Sequence, residues 1–438
     1  MYRKLVGIIT CTLLIVASVY SVSSMISEVT YDEDTPYSNT AKQSIDTDIV
    51  AMIQQVNESL IAGYLEGLVS FGPRVTGSKN CSDAADYILD EFKKLGLDAY
   101  IDPWTYPRYS CQNVVATHYG TDISSDAIII ICAHYDSYEN SPGANDDGSG
   151  IAAMLSIANI CSTYSFNYTI RFIAFSGEEA GTYGSHAYAK NAYEKRENIR
   201  VVFNLETFGN TSEGGKDLFI LKTERTEWIS QFSQEISEKY YPFCNLTILP
   251  IGNRPCDHQA FLDYGYDAVQ YVQLNRGDYP MHTPEDSLDK INYSYLVNVT
   301  KLILAIVVEF VNRPIDVQIR IISPYEGYFY FMDTPMVQLP GFNIRKSGLR
   351  GMTYILGKAT VRVNISTKSE IQSVYFCIDG VADWLGECKQ PPYEWKIQKS
   401  IIWSIFPLFG KHTISAYACT KDGKVTYDEM DIFVMQLF

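Results

Sequence analysis

Five short segments of the sequence carry histidine and carboxylate side chains that could share a metal ion. The first is His134-Tyr135-Asp136, which directly follows the apolar run from Ala127 to Cys132. A His-x-Asp pair in a loop is weak evidence alone. However, a continuous apolar run is typical of a strand buried on both faces. Open α/β sheets bind ligands beyond the carboxyl ends of such strands, so the position favours a functional pair.

The second segment is the glycine-rich stretch from Gly143 to Gly150, which contains Asp146 and Asp147. Such a stretch can simply cap the following helix, with Asp147 or Ser149 as the N-cap residue. A cap does not require two adjacent carboxylates. We therefore expect one of them to face a metal, while the glycines allow close approach of the backbone.

The third segment, Ser176-Gly-Glu178-Glu179, again ends a strand. One glutamate could bind a cation while the other holds a water molecule beside it. A solvated acidic start of a helix, favoured by the helix dipole, is the alternative. The last two candidates are Glu206, at the end of the strand that begins at Val201, and His282, after the strand from Ala268 to Gln273.

The five segments together predict more than any one alone. Two imidazoles and several carboxylates, without cysteine, suit zinc in a hydrolytic site. Two imidazoles, one shared carboxylate and two further carboxylates fit a pair of zinc ions about 3.5–4 Å apart. The sequence contains neither a Gly-x-Ser-x-Gly elbow nor a phosphate-binding glycine loop.

Alternating strand and helix patterns surround these segments and predict an α/β fold with a largely parallel central sheet flanked by helices. We expect helices at Asp48–Val69, Ser82–Leu95, Gly150–Ile160 and Leu296–Val311, with strands at Ala127–Cys132, Thr169–Phe175, Val201–Phe203 and Ala268–Gln273. After Pro314 short alternating strands separated by turn signals, such as Asp379-Gly380, predict a small C-terminal all-β sandwich.

The N-terminus predicts export. Arg3 and Lys4 precede an apolar stretch from Leu5 to Val22, which is long for a signal-peptide core and short for a spanning helix. A cleaved signal and a retained membrane anchor both remain open. The sequence also carries Asn-x-Ser/Thr acceptors for N-glycosylation, at Asn57, Asn80, Asn167, Asn210, Asn245, Asn292, Asn298 and Asn364.

These patterns divide the chain into four parts. Residues 1–24 form the signal peptide or anchor, 25–47 a flexible polar stem, 48–313 the α/β domain and 316–438 the β-sandwich. We expect an extracellular protein, secreted or anchored to the outer face of the membrane, whose only membrane contact is the N-terminal segment. The net charge of −16 makes nucleic acid an unfavourable partner.

Residues 49–313 resemble the two-zinc exopeptidase family that includes bacterial secreted leucyl aminopeptidases and glutamate carboxypeptidases. The resemblance rests on the five segments in order, and on Gly72-Pro-Arg-Val-Thr-Gly77 and Asn113-Val-Val115. It implies a metallopeptidase that uses two zinc ions to hydrolyse terminal peptide bonds, most simply an aminopeptidase. The C-terminal region resembles an immunoglobulin-like domain, for which protein or carbohydrate binding is an analogy only.

The resemblance also implies roles for the candidate residues. The implied metal ligands are His134, Asp146 as the bridge, Glu179, Glu206 and His282. Glu178 would be the general base, and Asp136 would orient His134. Tyr279 and His258 are candidates for contacts with the substrate or the oxyanion. Relatives carry Asp where this chain has Glu206, which puts the second zinc position in question.

Two further expectations concern the surroundings and the alternatives. Cys244 and Cys256 flank a loop near the predicted pocket, and we expect a disulfide between them. A carboxypeptidase of the same family, a one-zinc enzyme resembling glutaminyl cyclase, and an inactive peptidase-like binding protein remain alternatives. Decay to a binding protein should remove Glu178 or a metal ligand early, and all of them are present.

Overall fold

The computed structural model describes residues 46–435 apart from a few short stretches. The stretches outside the description are residues 124, 196, 210–214, 224–225, 275–280, 314–316, 326, 339–351, 368, 380, 383–386, 398–408 and 422–424. The predicted signal or anchor (1–24) and all but the last two residues of the predicted stem (25–47) lie outside the described residues, and so does Tyr279.

A central sheet of eight strands forms the frame of the first region. Its strands are β1 (Asp98–Tyr106), β2 (Tyr109–His118), β3 (Ile128–His134), β4 (Thr169–Phe175), β5 (Ile199–Glu206), β6 (Asp217–Lys222), β7 (Thr247–Gly252) and β8 (Ala268–Val272). They lie in the order β1-β2-β4-β3-β5-β8-β6-β7. Strands β4, β3, β5 and β8 are mutually parallel neighbours, so their carboxyl ends lie along one edge of the sheet.

The predicted α/β fold with a central sheet flanked by helices is confirmed, and the sheet is mixed rather than uniformly parallel. Strands β1 and β2 form an antiparallel hairpin, because a connection of two residues cannot support a parallel crossover. The hairpin joins the sheet through an antiparallel pairing of β2 with β4. On the other side, β6 pairs antiparallel with β8.

Helices cover both faces of the sheet. They are α1 (Thr47–Gln55), α2 (Glu58–Val69), α3 (Lys79–Lys94), α4 (Gly148–Cys161), α5 (Tyr183–Glu194), α6 (Glu227–Cys244), α7 (Asp257–Asp263) and α8 (Tyr293–Asn312). Alternate side chains of β3 pack on opposite faces of the sheet. Ile129 and Ile131 pack against α4 and α8, whereas Ile130 and Cys132 pack against α5 and α7. This double burial explains the continuous apolar run in the sequence.

The single helix predicted over Asp48–Val69 is wrong, since the structure has two helices there. The backbone of Val56 is extended, and the side chain of Asn57 then accepts a hydrogen bond from the backbone N–H of Leu60. Asparagine is a preferred N-cap residue, so the second helix restarts at this point although the apolar spacing continues across it.

Helix α8 is long and apolar enough to cross a membrane by length and composition, and it is the only such helix among the described residues. Most of it is buried, however, and it packs against α1, α2, α4 and α6. Helix α8 is therefore a core helix of the α/β region.

The C-terminal region consists of two β-sheets that share one core. Its strands are β9 (Val317–Ser323), β10 (Tyr328–Phe331), β11 (Thr334–Gln338), β12 (Thr353–Leu356), β13 (Thr360–Thr367), β14 (Ile371–Ile378), β15 (Val381–Ala382), β16 (Glu394–Lys396), β17 (Phe409–Thr420) and β18 (Val425–Met435). Seven strands form one sheet and three form the other. Val361 and Trp395 of the smaller sheet pack against Phe376 and Ile414 of the larger one. The boundary predicted between residues 313 and 316, and the immunoglobulin-like topology, stay predictions.

Candidate metal centre

The structure brings His134 to the sheet edge at the end of β3 and surrounds it with carboxylates. The Nε2 atom of His134 lies 3.3 Å from Oδ1 of Asp146 and 3.4 Å from Oε1 of Glu206. Its Nδ1 atom lies 3.0 Å from the carbonyl oxygen of Asp136. Burial opposes a charge on the ring, but the carboxylates of Glu206, Asp136 and Asp146 outweigh it and raise the pKa of His134.

A second group of ligand atoms lies on the other side of Asp146. The Nε2 atom of His282 lies 3.1 Å from Oδ2 of Asp146 and 3.3 Å from Oε2 of Glu179. Asp146 therefore faces one imidazole with each carboxylate oxygen. A carboxylate between two imidazoles can bridge two cations, which is the arrangement that a two-metal site requires.

Asp147 lies close to His134 and Glu206 and could also be counted as a ligand. Its oxygens are already engaged, however. Oδ1 accepts hydrogen bonds from the backbone N–H groups of Gly150 and Thr207, each at 3.0 Å, and Oδ2 accepts one from that of His134. Asp147 is thus the N-cap of α4, one of the two caps considered from the sequence, and Asp146 is the carboxylate that is free to bridge.

The adjacent glutamates Glu178 and Glu179 have different charged neighbours. Glu179 joins the His282 group, and its Oε1 atom is buried without a hydrogen-bond partner. Burial and the charge of Asp146 raise the pKa of Glu179 to about 7. Burial also raises the pKa of Glu178, and the charges of Glu206 and Asp257 add to this effect.

Asp136 connects the first and third segments. Its carboxylate accepts hydrogen bonds from the backbone N–H groups of Glu178 (3.2 Å) and Glu179 (3.3 Å), and from the hydroxyl of Thr76 (2.7 Å). Its Oδ1 atom lies 3.6 Å from Nδ1 of His134. Asp136 thereby positions the imidazole and the Glu178-Glu179 turn relative to each other.

Glu206 reaches the His134 group despite its extra methylene. One oxygen faces Nε2 of His134, and the other accepts a hydrogen bond from the thiol of Cys256 at 3.1 Å. The predicted disulfide between Cys244 and Cys256 is wrong, because their sulfurs make no contact: Cys244 packs in the core under the sheet, and Cys256 contacts Asn204 and Glu206. The thiol of Cys256 holds the glutamate instead.

Two buried charged residues hold the loops, and sequence reasoning missed both as functional residues. Asp286 accepts hydrogen bonds from the backbone N–H groups of Asn145 (2.7 Å) and Asp146 (3.1 Å). Arg74 is fully buried and donates to the carbonyl groups of Tyr135 (2.6 Å), Pro142 (2.6 Å) and Gly143 (2.9 Å). Arg74 lies in the Gly72–Gly77 stretch named in the sequence, and Asp286 follows His282 by four residues; these positions were the available signal.

The loop that carries Asp146 needs glycine at its start. Gly143 has a φ of +62°, and a Cβ atom there would lie 2.6–2.8 Å from Ser137, the carbonyl of Asp146 and the guanidinium of Arg74. Any other residue would push the bridging carboxylate or the arginine from its place.

His258 is not brought to the metal centre. It is buried in α7, where Nε2 lies 2.6 Å from the side-chain oxygen of Asn253. Burial lowers the pKa of His258 to about 3, so the ring is neutral. The described residues include no hydrogen bond or ion pair between His258 and the metal-centre side chains, and its role as a substrate contact stays a prediction. Its neighbour Asp257 is fully buried, and burial raises the pKa of Asp257 to about 7.

The donor set fits two zinc ions. It combines two imidazoles with the carboxylates of Asp146, Glu179 and Glu206, and it includes no thiolate. The carboxylates outnumber the imidazoles, and the buried Oε1 atom of Glu179 has no hydrogen-bond partner. Cations at this sheet edge would compensate the excess negative charge and occupy that oxygen.

The α/β region that carries this donor set is similar to metallopeptidases. Residues 113–307 match the family model of peptidase family M28. Aminopeptidase YwaD of Bacillus subtilis is 29% identical over 262 residues, which are 58% of this chain and 57% of that protein. A probable zinc metalloprotease of Pyricularia oryzae is 28% identical over 342 residues, or 62% and 68% of the two chains. The resemblance to the zinc exopeptidase family is therefore confirmed.

Solved structures agree on the fold. LapB from Legionella pneumophila has a TM-score of 0.57 at 25% identity, covering 61% of this chain and 76% of its own. The zinc aminopeptidase BSAP from Bacillus subtilis has a TM-score of 0.53 at 20% identity, covering 59% and 96%. The alignment with YwaD, the relative described first, spans a little over half of that protein's length.

Proposed function

We propose that this chain is a zinc-dependent exopeptidase, most simply an aminopeptidase, with Glu178 as the general base. One observation carries the proposal: Asp146 joins a His134–Glu206 group to a His282–Glu179 group. The names of relatives support it, since they include aminopeptidases and zinc metalloproteases. We assign the five residues of the two groups as ligands of two zinc ions, with Asp146 shared.

When bound, the zinc ions would lower the pKa of a water molecule toward about 7 and polarise the scissile carbonyl. The carboxylate of Glu178 accepts the proton of the attacking water and delivers it to the leaving amine. The raised pKa of Glu178 suits a group that must hold this proton between the two steps. Asp136 keeps the backbone of Glu178 in place through its N–H group.

The test is zinc content measured together with activity on a leucine chromogenic amide. We expect about two zinc ions per chain in the wild type and in Glu178→Gln, with activity lost by at least about 100-fold in the variant, since general-base catalysis contributes about 10²–10⁴-fold. Glu285→Gln, an exposed residue in the His282 segment, is the matched control and should keep full activity. Metal-loaded wild type without activity would favour the peptidase-like binding protein.

Terminal preference is tested with paired peptides. An aminopeptidase releases the first residue of a free peptide and spares the same peptide when its N-terminus is acetylated. Release from the carboxyl end of both peptides would establish the carboxypeptidase instead. Cyclisation of an N-terminal glutamine without hydrolysis would establish the glutaminyl cyclase type.

We also propose that the protein enters the secretory pathway and is glycosylated. The basic and apolar N-terminal segment and the Asn-x-Ser/Thr acceptors support this proposal. Among the acceptors, Asn57, Asn80, Asn167, Asn245 and Asn364 are exposed. A mass decrease after endoglycosidase treatment, and Edman sequencing of the mature chain, test glycosylation and the cleaved or retained N-terminus. Binding to protein or carbohydrate by the C-terminal region stays an analogy, which glycan and protein arrays can test.

A further inference from the structure

Two cysteines away from the metal ligands lie side by side beneath the metal centre. Cys81 is in the first turn of α3, and Cys111 is on β2, where it pairs across the hairpin with Trp104. Their Sγ atoms are 3.6 Å apart. Cys81 is fully buried, whereas Cys111 is half-buried. All nine cysteines from Cys81 to Cys419 are described, and this is the one sulfur–sulfur contact among them.

We infer that Cys81 and Cys111 form a disulfide that staples helix α3 to the β1–β2 hairpin. The oxidant is the disulfide of a protein dithiol carrier of an oxidising compartment. The inference rests on the proposed export of the chain for this oxidant, and it is independent of the proposed peptidase activity.

The chemistry proceeds by thiol–disulfide exchange. The thiolate of Cys111 attacks one sulfur of the carrier disulfide, which forms a mixed disulfide and releases the other carrier sulfur as a thiolate. The sulfur of Cys81 then attacks Cys111 Sγ and expels the second carrier thiolate. Two protons from the chain thiols pass to the carrier thiolates directly or through solvent. The chain loses two electrons, and the carrier gains them.

The surroundings of the pair support this order of events. Cys111 is accessible enough to meet a carrier, and Cys81 lies behind it in the core. The hydrogen bond from Cys81 lowers the pKa of Cys111 to about 6, and a backbone hydrogen bond at Gly77 contributes in the same direction. The thiolate is the attacking species in exchange.

The staple would lie directly under the first metal-ligand segment. Tyr135, between His134 and Asp136, places its hydroxyl oxygen 4.0 Å from Cys111 Sγ and donates from it to the carbonyl of Gln112 at 2.5 Å. On the other side, α3 follows the residue Thr76, whose hydroxyl bonds to Asp136. A covalent link between α3 and β2 would therefore join the segment after Thr76, which contacts Asp136, to the strand that contacts Tyr135.

A peptide map tests the bond itself. Trypsin cleaves between the two cysteines at Lys93, Lys94 and Arg108, so a disulfide holds two otherwise separate peptides together. The full chain, produced through a secretory route and blocked with iodoacetamide without reductant, should yield the linked pair. Alkylated Cys81 and Cys111, or a link of either to another cysteine, would overturn the inference. Neither result depends on catalysis, so it leaves the proposed function to its own test.

Thermal melting tests the stapling role. In zinc-saturated buffer, reduction of the wild type by a phosphine should lower its melting temperature on the order of 5–10 °C. The variant Cys81→Ala/Cys111→Ala should melt at one temperature with and without reductant. Cys161→Ala, which removes a buried thiol of α4 that has no sulfur neighbour, should keep the full response to reductant. A linked pair whose reduction leaves the wild-type melting temperature unchanged would overturn the stapling role.

Discussion

Replacement of Asp286 by asparagine should weaken zinc binding although Asp286 is not assigned as a ligand. Its two carboxylate oxygens accept the backbone N–H groups of Asn145 and Asp146 at 2.7 and 3.1 Å, and the residue is fully buried. An asparagine of the same shape retains one acceptor oxygen. Its amide group then meets the other N–H donor, so one hydrogen bond is lost and a buried donor is left unpaired.

The size of the effect follows from these contacts. A hydrogen bond to a charged group stabilises by about 1.5–3 kcal/mol, and an unsatisfied buried donor costs about 1–3 kcal/mol. Part of this loss falls on the position of the bridging carboxylate of Asp146. Residues that orient metal ligands change metal affinity by about 10–100-fold, and we expect Asp286→Asn to fall in that range.

Competition with a chromogenic chelator measures the two zinc dissociation constants, and circular dichroism checks that the variant is folded. Asp289→Asn is the matched control, because Asp289 lies three residues further along the same segment and its side chain is 70% exposed. Equal zinc affinity of wild type and a folded Asp286→Asn variant would refute the reasoning, since the bridging ligand would then hold its position without these two hydrogen bonds.

Three further predictions follow from neighbouring contacts. Tyr138 stacks on His282 with ring centroids 4.5 Å apart, so Tyr138→Ala should weaken zinc binding about 2–10-fold by chelator competition and Tyr138→Phe should not. Arg74→Lys should lower the free energy of unfolding in urea by about 2–4 kcal/mol, because a lysine cannot donate to three separated carbonyls; equal stability would contradict this. The neutral His258, with a pKa of about 3 when folded and about 6.5 unfolded, should cost stability as the pH falls below 6.5. By pH 5 the wild type should lose about 2 kcal/mol more than His258→Gln, by urea unfolding at both pH values.

The sequence predicted which side chains meet at this sheet edge, because several of them follow directly from strand ends. Strands β3, β4 and β5 are short apolar runs, and the parallel pairing brings their carboxyl ends to one edge. The parallel order of the strands is therefore enough to predict that His134, Glu178 and Glu206 lie close together, whatever path the loops take. The residues between strands were harder to predict, because a loop's path depends on tertiary hydrogen bonds such as those of Arg74.

Residue types and spacing alone did not separate Asp146 from Asp147, and only the family resemblance implied that Asp146 is the metal ligand. Both residues precede the same helix. The choice is made by partners distant in the chain: Thr207 donates its N–H group to Asp147, and His282 faces Asp146. Similarly, the predicted Cys244–Cys256 bridge was wrong because proximity in sequence says little about proximity across a sheet, whereas Cys81 and Cys111 meet because helix α3 packs against β2.

Glu206 shows how the longer side chain of a glutamate can be accommodated beside His134. The longer side chain still brings one oxygen to 3.4 Å from Nε2 of His134, because its other oxygen is held by the thiol of Cys256 at 3.1 Å. The thiol is a weak donor, so the glutamate owes its position also to the rigid end of β5, where Leu205 and Glu206 pair with Tyr271 and Val272. The pairing of β5 with β8 thus fixes the backbone of Glu206, and the thiol of Cys256 holds its carboxylate. Together these two constraints keep the longer side chain close to His134.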